Sequence, residues 1–169
     1  IELLVVIAII MILVLGISRI DLNPQINKQK FLEFNNQISS SIEYVRNNSL
    51  IWKWVWPTLQ TPTYWNIYIS TANNWSLVTT YNSWWTNFTF TWNIINFNKH
   101  NIITWLDCKS YDLALNNPTT NIDIRFEWAN IFLTWWCNPN STILDIKTKN
   151  WSFTGVIRVN TLNWLIEKL

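Results

Sequence analysis

The chain has 169 residues, a formal net charge of +2 and a charged fraction of only 13%. This length has room for one domain with an extension, and nothing in the composition indicates two independent cores. Lys and Arg are not clustered, which disfavours nucleic acid as a partner without excluding it. The polar residues are mainly Asn, Thr and Ser, as on many β-rich extracellular surfaces.

Residues with catalytic or metal-binding chemistry are few and scattered. The only histidine, His100, lies between Lys99 and Asn101, and we expect it to be solvated. Asp107 and Asp112 are explained equally well as turn carboxylates. Two glycines cannot supply a Gly-rich phosphate loop, and no Ser/His/Asp or metal-ligand grouping has a spacing above chance. The sequence therefore predicts no catalytic residue, no metal site, no cofactor and no enzyme activity.

Cys108 and Cys137 lack the CxxC spacing of metal and redox motifs. A disulfide formed outside the cytoplasm is one interpretation of this pair, and two buried free thiols are the other. The sequence leaves both open.

The N-terminal segment is strongly apolar, because Leu3 to Ile17 contain no charged or strongly polar residue. As an α-helix this segment would extend roughly 22 Å, short of the ~30 Å hydrocarbon core of a bilayer. The sequence begins at Ile1 without an initiator Met, so we expect further apolar residues before it. A cleaved signal peptide would instead show a basic start and a small-residue cleavage site. We therefore expect a retained membrane or filament segment over residues 1–20.

Glu2 is the single acidic residue in this apolar segment, and a carboxylate there indicates a partner or a function. The run from Ile1 to Ile10 resembles the prepilin-type methylation motif that begins type IV pilins and type II secretion pseudopilins. The resemblance implies processing by a prepilin peptidase and a Glu2 that pairs with the N-terminal amine of a neighbouring subunit, fixing axial register. Met11, where the family often has Gly, departs from the pattern. The side chains implied in membrane and filament packing are Leu3, Leu4, Val5, Val6, Ile7, Ile9, Ile10, Ile12 and Leu13.

A second, amphipathic helical half is predicted over residues 23–53. Asn23-Pro24 reads as an N-cap followed by Pro at the first helical position. An apolar stripe at spacings of three to five predicts the face that docks on a sheet. Residues 34–49 are similar to minor pseudopilins of the H and FimT/FimU type. The stripe consists of Ile26, Phe31, Phe34, Ile38, Ile42, Val45 and Ile51.

After Pro57 the pattern changes to short β-branched or alternating runs separated by Asn-, Ser- and Pro-containing stretches, which predicts antiparallel strands. Residues 116–118 and 138–140 are predicted loops. The last run is predicted to form a hairpin that turns around Trp164. The predicted strands cover residues 65–71, 75–81, 88–97, 121–126, 131–134, 141–147, 153–160 and 164–168.

Tryptophan and glycine occur in unusual numbers, with 14 Trp and 2 Gly, whereas average usage would give about twelve Gly. Several tryptophans lie where a hairpin needs glycine, either after Asn or as doublets in apparent turns. Type I′ turns require positive φ, which Gly adopts freely and a bulky residue adopts only with about 1–2 kcal/mol of strain. The glycine-type turn positions are Trp75, Trp84, Trp85, Trp135, Trp136, Trp151 and Trp164.

We therefore hypothesise that most of these tryptophans are UGA codons, read as Gly in the source and translated as Trp. The alternative is a true aromatic surface that stacks on glycans or bases. The 14 tryptophans would carry about 2,800 Å², roughly a third of the surface of a folded chain of this mass. Exposed patches seldom exceed about 600 Å², which argues against that alternative.

Together these features predict an α+β fold of the pilin kind, with a long helix (residues 1–53) packed on an antiparallel β-sheet head (residues 54–169). The resemblance implies a minor subunit of a type IV pilus or type II secretion pseudopilus. It would cross the cytoplasmic membrane once, hold its head outside and bind other pilin or pseudopilin subunits. The alternatives are a filament-tip module that binds DNA or glycan, and a signal-anchored surface protein.

Overall fold

The computed structural model describes residues 2–18, 23–51, 62–71, 76–83, 86–89, 95–96, 101–110, 117–128, 130–134, 137, 141–150 and 152–169. Its helices are α1 (Glu2–Ser18) and α2 (Asn23–Leu50). Its strands are β1 (Tyr64–Ser70), β2 (Ser76–Ser83), β3 (Thr86–Thr89), β4 (Ile95–Asn96), β5 (Asn101–Lys109), β6 (Asn117–Thr119), β7 (Asn121–Glu127), β8 (Asn130–Thr134), β9 (Ile143–Asn150), β10 (Phe153–Asn160) and β11 (Ile166–Lys168).

The strands form two antiparallel sheets. The first has the order β3-β2-β1-β7-β8, with β4 also paired to β2. The second has the order β11-β10-β9-β5-β6. In the first sheet Ile67 lies between Thr79 of β2 and Ile124 of β7. In the second, Ile146 lies between Ile157 of β10 and Leu106 of β5.

One core joins both sheets and α2. The strands β1 and β7 alternate buried and partly exposed residues, so Ile67, Ile69, Ile122 and Ile124 all face inward and are fully buried. This period-two pattern is the one expected of strands with one covered face. Buried residues of β5, β9 and β10 belong to the same cluster, as do Phe34, Ile38, Ile42 and Val45 of α2.

α2 lies against both sheets, contacting β1 and β7 of the first and β9, β10 and β11 of the second. Its approach to β10 is close: a Cβ built on Gly155 would meet Cζ of Phe31 at 3.0 Å and Nδ2 of Asn35 at 3.1 Å. The Phe31 ring also stacks on Phe153, with centroids 6.1 Å apart. Thr148 Oγ1 donates to Asn35 Oδ1 at 2.6 Å in the buried interface. Glycine at 155 therefore leaves room for the helix.

The predicted stripe of α2 is largely buried. Five of its seven members lie in the interface with the sheets, and only Ile26 and Ile51 are exposed, at 43% and 69%. Ile26 lies in the first turn of α2, and Ile51 follows its last residue, Leu50.

The predicted α+β class, a long helix packed on an antiparallel β-sheet head, is wrong, because the described chain is mostly β-sheet, with two antiparallel sheets and one long helix. In the second sheet β9, β10 and β11 overlap predicted strands, but no strand was predicted over β5. There Ile102 and Ile103 are adjacent rather than alternating, and the register shifts between Ile103 and Trp105. The predicted loop at 116–118 is also wrong, since β6 pairs with β5 through Cys108 and Asn117.

The membrane prediction is wrong as well. α1 ends at Ser18 after 17 residues, which reach about 25 Å as a helix, against ~30 Å of hydrocarbon. Among the described residues, neither helix combines the length and the apolar character that a membrane crossing requires. Three predictions are therefore wrong: the transmembrane segment over residues 1–20, the single-pass location in the cytoplasmic membrane, and the membrane-anchored pilin layout.

Candidate functional site

The first candidate surface is α1 itself. Its apolar side chains occupy consecutive positions and so cover every side of the helix. Their exposed fractions run from 44% at Ile7 to 75% at Leu3. Scattered apolar residues on a surface are ordinary, but a helix that is apolar all round is normally buried. The exposed members are Leu3, Leu4, Val5, Val6, Ile7, Ile9, Ile10, Met11 and Ile12.

Glu2 lies in the first turn of α1 and is exposed. A carboxylate at this end is favoured by the helix macrodipole, typically by 0.3–1 kcal/mol at an exposed site. The side chain of Leu13, the last predicted packing residue, lies outside the described residues. α1 thus presents one acidic residue at its start and an uninterrupted apolar surface beyond it.

Cys108 and Cys137 are joined by a disulfide, with their Cα atoms 5.7 Å apart. Cys108 is fully buried in β5, and Cys137 packs against the core cluster. The structure thus brings together the two cysteines whose pairing the sequence left open.

Two tryptophans adopt the left-handed backbone conformation. Trp128 has φ 54° and Trp164 has φ 62°, and in the described part of the chain no other residue, glycine included, has positive φ. Trp164 is one of the predicted glycine-type positions, whereas Trp128 was not singled out. The other predicted positions, Trp75, Trp84, Trp85, Trp135, Trp136 and Trp151, lie outside the described residues.

A row of charged residues crosses the second sheet, and sequence reasoning missed it. Asp145 of β9 lies directly between Asp107 of β5 and Arg158 of β10. Arg158 donates to its carboxylate from Nε at 2.7 Å and from Nη2 at 3.0 Å. Lys109 Nζ donates to the same carboxylate at 2.7 Å and lies 3.7 Å from Asp107 Oδ2. Only cross-strand register, which the sequence does not reveal, brings these groups together.

The electrostatics of this row are those of a structural ion-pair cluster. Burial pushes the pKa of Asp145 upward, but the bonds from Arg158 and Lys109 outweigh burial and hold it below its usual value. A carboxylate that accepts bonds from two cations stays ionised and does not exchange protons near neutral pH. This row stabilises the sheet and does not form a reactive site.

Asp123 of β7 has the opposite environment. Burial raises its pKa to about 6, and the nearby Arg125 lowers it only in part. Arg125 lies over the Tyr64 ring at 3.8 Å and pairs with Glu127 at 3.1 Å, so its charge is shared among several groups. Asp123 is thus a carboxylate whose pKa is raised, in contrast to that of Asp145.

A small cavity of about 200 Å³ lies between the end of α2 and the first sheet. Ser49, Tyr64, Trp65, Phe126 and Trp128 are among its walls. Its volume is below the ~300 Å³ at which small-molecule pockets begin. In the described residues there is also no group of three or more His, Cys, Asp or Glu side chains that could hold a metal ion.

Comparison with protein-family models, curated proteins and solved structures finds no match to this chain.

Proposed function

We propose that this protein is a structural subunit of a filament, of the type IV pilus or type II secretion pseudopilus kind, and that it assembles through α1. The observation that carries the proposal is the exposure of an apolar surface on every side of α1, from Leu3 to Ile12. A helix with this surface requires neighbours around it, and copies or relatives of the same helix supply them in a bundle.

The energetics favour several neighbours over one. Fully burying a Val, Leu or Ile side chain contributes about 1.5–3 kcal/mol, so completing the burial of these half-exposed side chains is worth on the order of 10 kcal/mol. Association itself costs about 4–15 kcal/mol. A single partner would cover one side of α1 and recover only part of the gain, whereas a bundle covers all sides.

The resemblance of residues 1–10 to the prepilin-type motif supports the same assembly. In that family the first-turn glutamate pairs with the N-terminal amine of a neighbouring subunit. In this chain Glu2 is the only ionisable side chain between Ile1 and Ser18. An unpaired carboxylate inside an apolar bundle is costly, so Glu2 would select the register in which it meets a positive charge.

The test places two lysines on one side of α1 in the full-length chain, Val6→Lys with Ile10→Lys, and measures assembly by sedimentation velocity and by incorporation into filaments. We expect assembly to be lost while the thermal unfolding midpoint of the subunit is unchanged. The matched control is Leu162→Lys with Leu165→Lys, at two other apolar residues that are exposed, at 63% and 46%. Normal assembly of the α1 variant, or an equal loss in the control, would reject the proposal.

The register role is tested separately with Glu2→Gln, which keeps the shape of the side chain and removes its charge. We expect the protein to self-associate but to incorporate poorly into ordered filaments. Unaltered incorporation would reject the role of Glu2 and leave the packing role of α1 standing.

A further inference from the structure

We infer that positions 128 and 164 are occupied by glycine in the native protein, and that tryptophan stands there because UGA codons were translated as Trp. The first observation is the backbone. Both residues have φ near +60°, a region that a few per cent of ordinary residues adopt and where bulky residues are outliers. The structure describes four tryptophans, and two of the four, Trp128 and Trp164, have this positive φ.

Position 128 belongs to a two-residue hairpin loop. β7 ends at Glu127, β8 begins at Asn130, and these two residues pair with each other. Two-residue loops of types I′ and II′ both require positive φ at their first central position, because only that twist matches the flanking strands. Glycine meets the requirement without strain. The Trp128 side chain is 58% exposed.

Position 164 lies in the turn between β10 and β11. Asn163 Oδ1 accepts the backbone N–H of Leu165 at 3.1 Å, closing an Asx-type turn over residue 164. The backbone N–H of Asn160 donates to the carbonyl oxygen of Leu165 at 3.0 Å and fixes the loop. Residue 164 thus holds a left-handed position in a hairpin loop, which glycine commonly fills, with a large side chain in its place.

At both positions the backbone carbonyl oxygen lies near the end of α2. The carbonyl oxygen of Trp164 accepts a bond from Arg46 Nη1 at 2.7 Å. Ser49 Oγ donates to the Arg46 carbonyl oxygen at 2.7 Å and lies 3.5 Å from the carbonyl oxygen of Trp128. The end of α2 therefore contacts the main chain at both sites, and this contact does not require an indole ring.

Trp65 is the contrasting case. Its side chain is fully buried in β1 and lies 5.5 Å from the Tyr81 ring, so the core depends on its ring. With glycine at positions 128 and 164, residue 128 has no indole ring to line the small cavity. Neither residue then belongs to an aromatic surface that could stack on glycans or bases.

The direct test is peptide mass spectrometry of the protein isolated from its native cells, together with the codons of its gene. We expect glycine at positions 128 and 164, each encoded by UGA. Tryptophan in either native peptide, or a UGG codon at either position, would overturn the inference.

A second test measures backbone preference by comparing Gly with Ala, which both remove the indole ring. At positions 128 and 164 we expect the Gly variant of the full chain to have a folding equilibrium constant about fivefold larger than the Ala variant, measured by denaturant unfolding. The control is Phe132 in β8, an aromatic residue that is 44% exposed. There the folding equilibrium constant of Phe132→Gly should be about two- to fivefold smaller than that of Phe132→Ala. Ala equal to or better than Gly at 128 or 164 would overturn the inference.

Discussion

The two helices of this chain bury their apolar residues differently. α2 confines them to one stripe, and Phe34, Ile38, Ile42 and Val45 are buried against the two sheets. α1 has apolar residues on every side, and they remain exposed from Leu3 to Ile12. An amphipathic helix can satisfy its apolar face within its own chain, whereas a uniformly apolar helix needs surfaces that one subunit does not supply.

Polar groups mark the same difference. The buried face of α2 includes Asn35 and Ser39, and each has a defined partner: Thr148 Oγ1 donates to Asn35 Oδ1, and Ser39 Oγ donates to the Asn35 carbonyl oxygen at 3.0 Å. The first bond fixes how α2 sits on the second sheet, and the second satisfies Ser39 within the helix; an unsatisfied buried polar group would cost about 1–3 kcal/mol. Beyond Glu2, α1 has no strongly polar side chain before Ser18 that could select one neighbour.

The largest expected effect is the difference in the free energy of unfolding between an Ile→Ala substitution in α2 and one in α1. Ile38→Ala removes a fully buried side chain and should lower the free energy of unfolding by about 2–5 kcal/mol. Ile7→Ala should change it by no more than about 0.5 kcal/mol in the dilute subunit, because Ile7 is exposed. Denaturant unfolding of both variants measures the contrast, and similar losses would show that α1 is part of the folded core.

The next effect concerns the close contact of α2 with β10. Gly155→Ala places a methyl group 3.0 Å from Cζ of Phe31 and should cost about 1–3 kcal/mol. Phe31→Leu in the same chain shortens the opposing side chain, so the double variant should lose less than the two single losses combined. Strictly additive losses would contradict direct contact between the two positions.

A smaller effect distinguishes two bonds that join α2 to the C-terminal hairpin. Arg46→Met removes the part-buried bond to the Trp164 carbonyl oxygen and should cost about 1–2 kcal/mol. Lys168→Met removes the exposed bond from Nζ to Asn36 Oδ1, 2.8 Å long, and should cost less than about 0.5 kcal/mol. Thermal unfolding compares the two, and an equal cost would show that burial does not decide the strength of this contact.

The smallest expected effect is a pH dependence of stability that arises from Asp123 in the first sheet. Because the pKa of Asp123 is raised to about 6, the folded state binds more protons than the unfolded state between about pH 4 and 6. Stability should therefore fall as pH rises through that window. Asp123→Asn should stabilise the chain on the order of 1 kcal/mol at pH 7, after allowance for solvent screening, and have no effect below about pH 4.

Asp145 supplies the matched control with the opposite sign. Its folded pKa is lowered, so its contribution is present above its unfolded pKa of about 3.9 and is lost as pH falls through the folded value. Asp145→Asn should destabilise the chain at pH 7. The same sign for both variants in unfolding titrations would contradict the two assigned environments.

Sequence periodicity predicted the buried stripe of α2 well, because 3.6-residue spacing reports directly on which side of a helix is covered. In the second sheet it did not predict β5, which has adjacent buried residues and a register shift, or β6, which contains Pro118. It singled out Trp164 through the preceding Asn163. It missed Trp128, whose loop position is defined only by the pairing of Glu127 with Asn130.

The apolar composition of α1 also led to the wrong prediction of a membrane segment. A run of apolar residues predicts burial without saying what buries it, and in the described part of the chain neither helix is long and apolar enough to cross a membrane. The site that remains, an exposed apolar helix with an acidic first turn, was visible in the sequence because it depends on consecutive residues. The charged row around Asp145 was not visible, because it depends on three strands in register.

The contacts at the end of α2 have a consequence for how this protein tolerates change. Arg46 donates to the carbonyl oxygen of Trp164, and Ser49 Oγ lies 3.5 Å from that of Trp128, so the end of α2 contacts the main chain of both loops. Loop residues can therefore be exchanged without releasing the helix, as long as the main chain keeps its course. Mutations that alter backbone direction at these two points, for instance a proline, should be purged in evolution, while changes of side-chain chemistry beside them should accumulate.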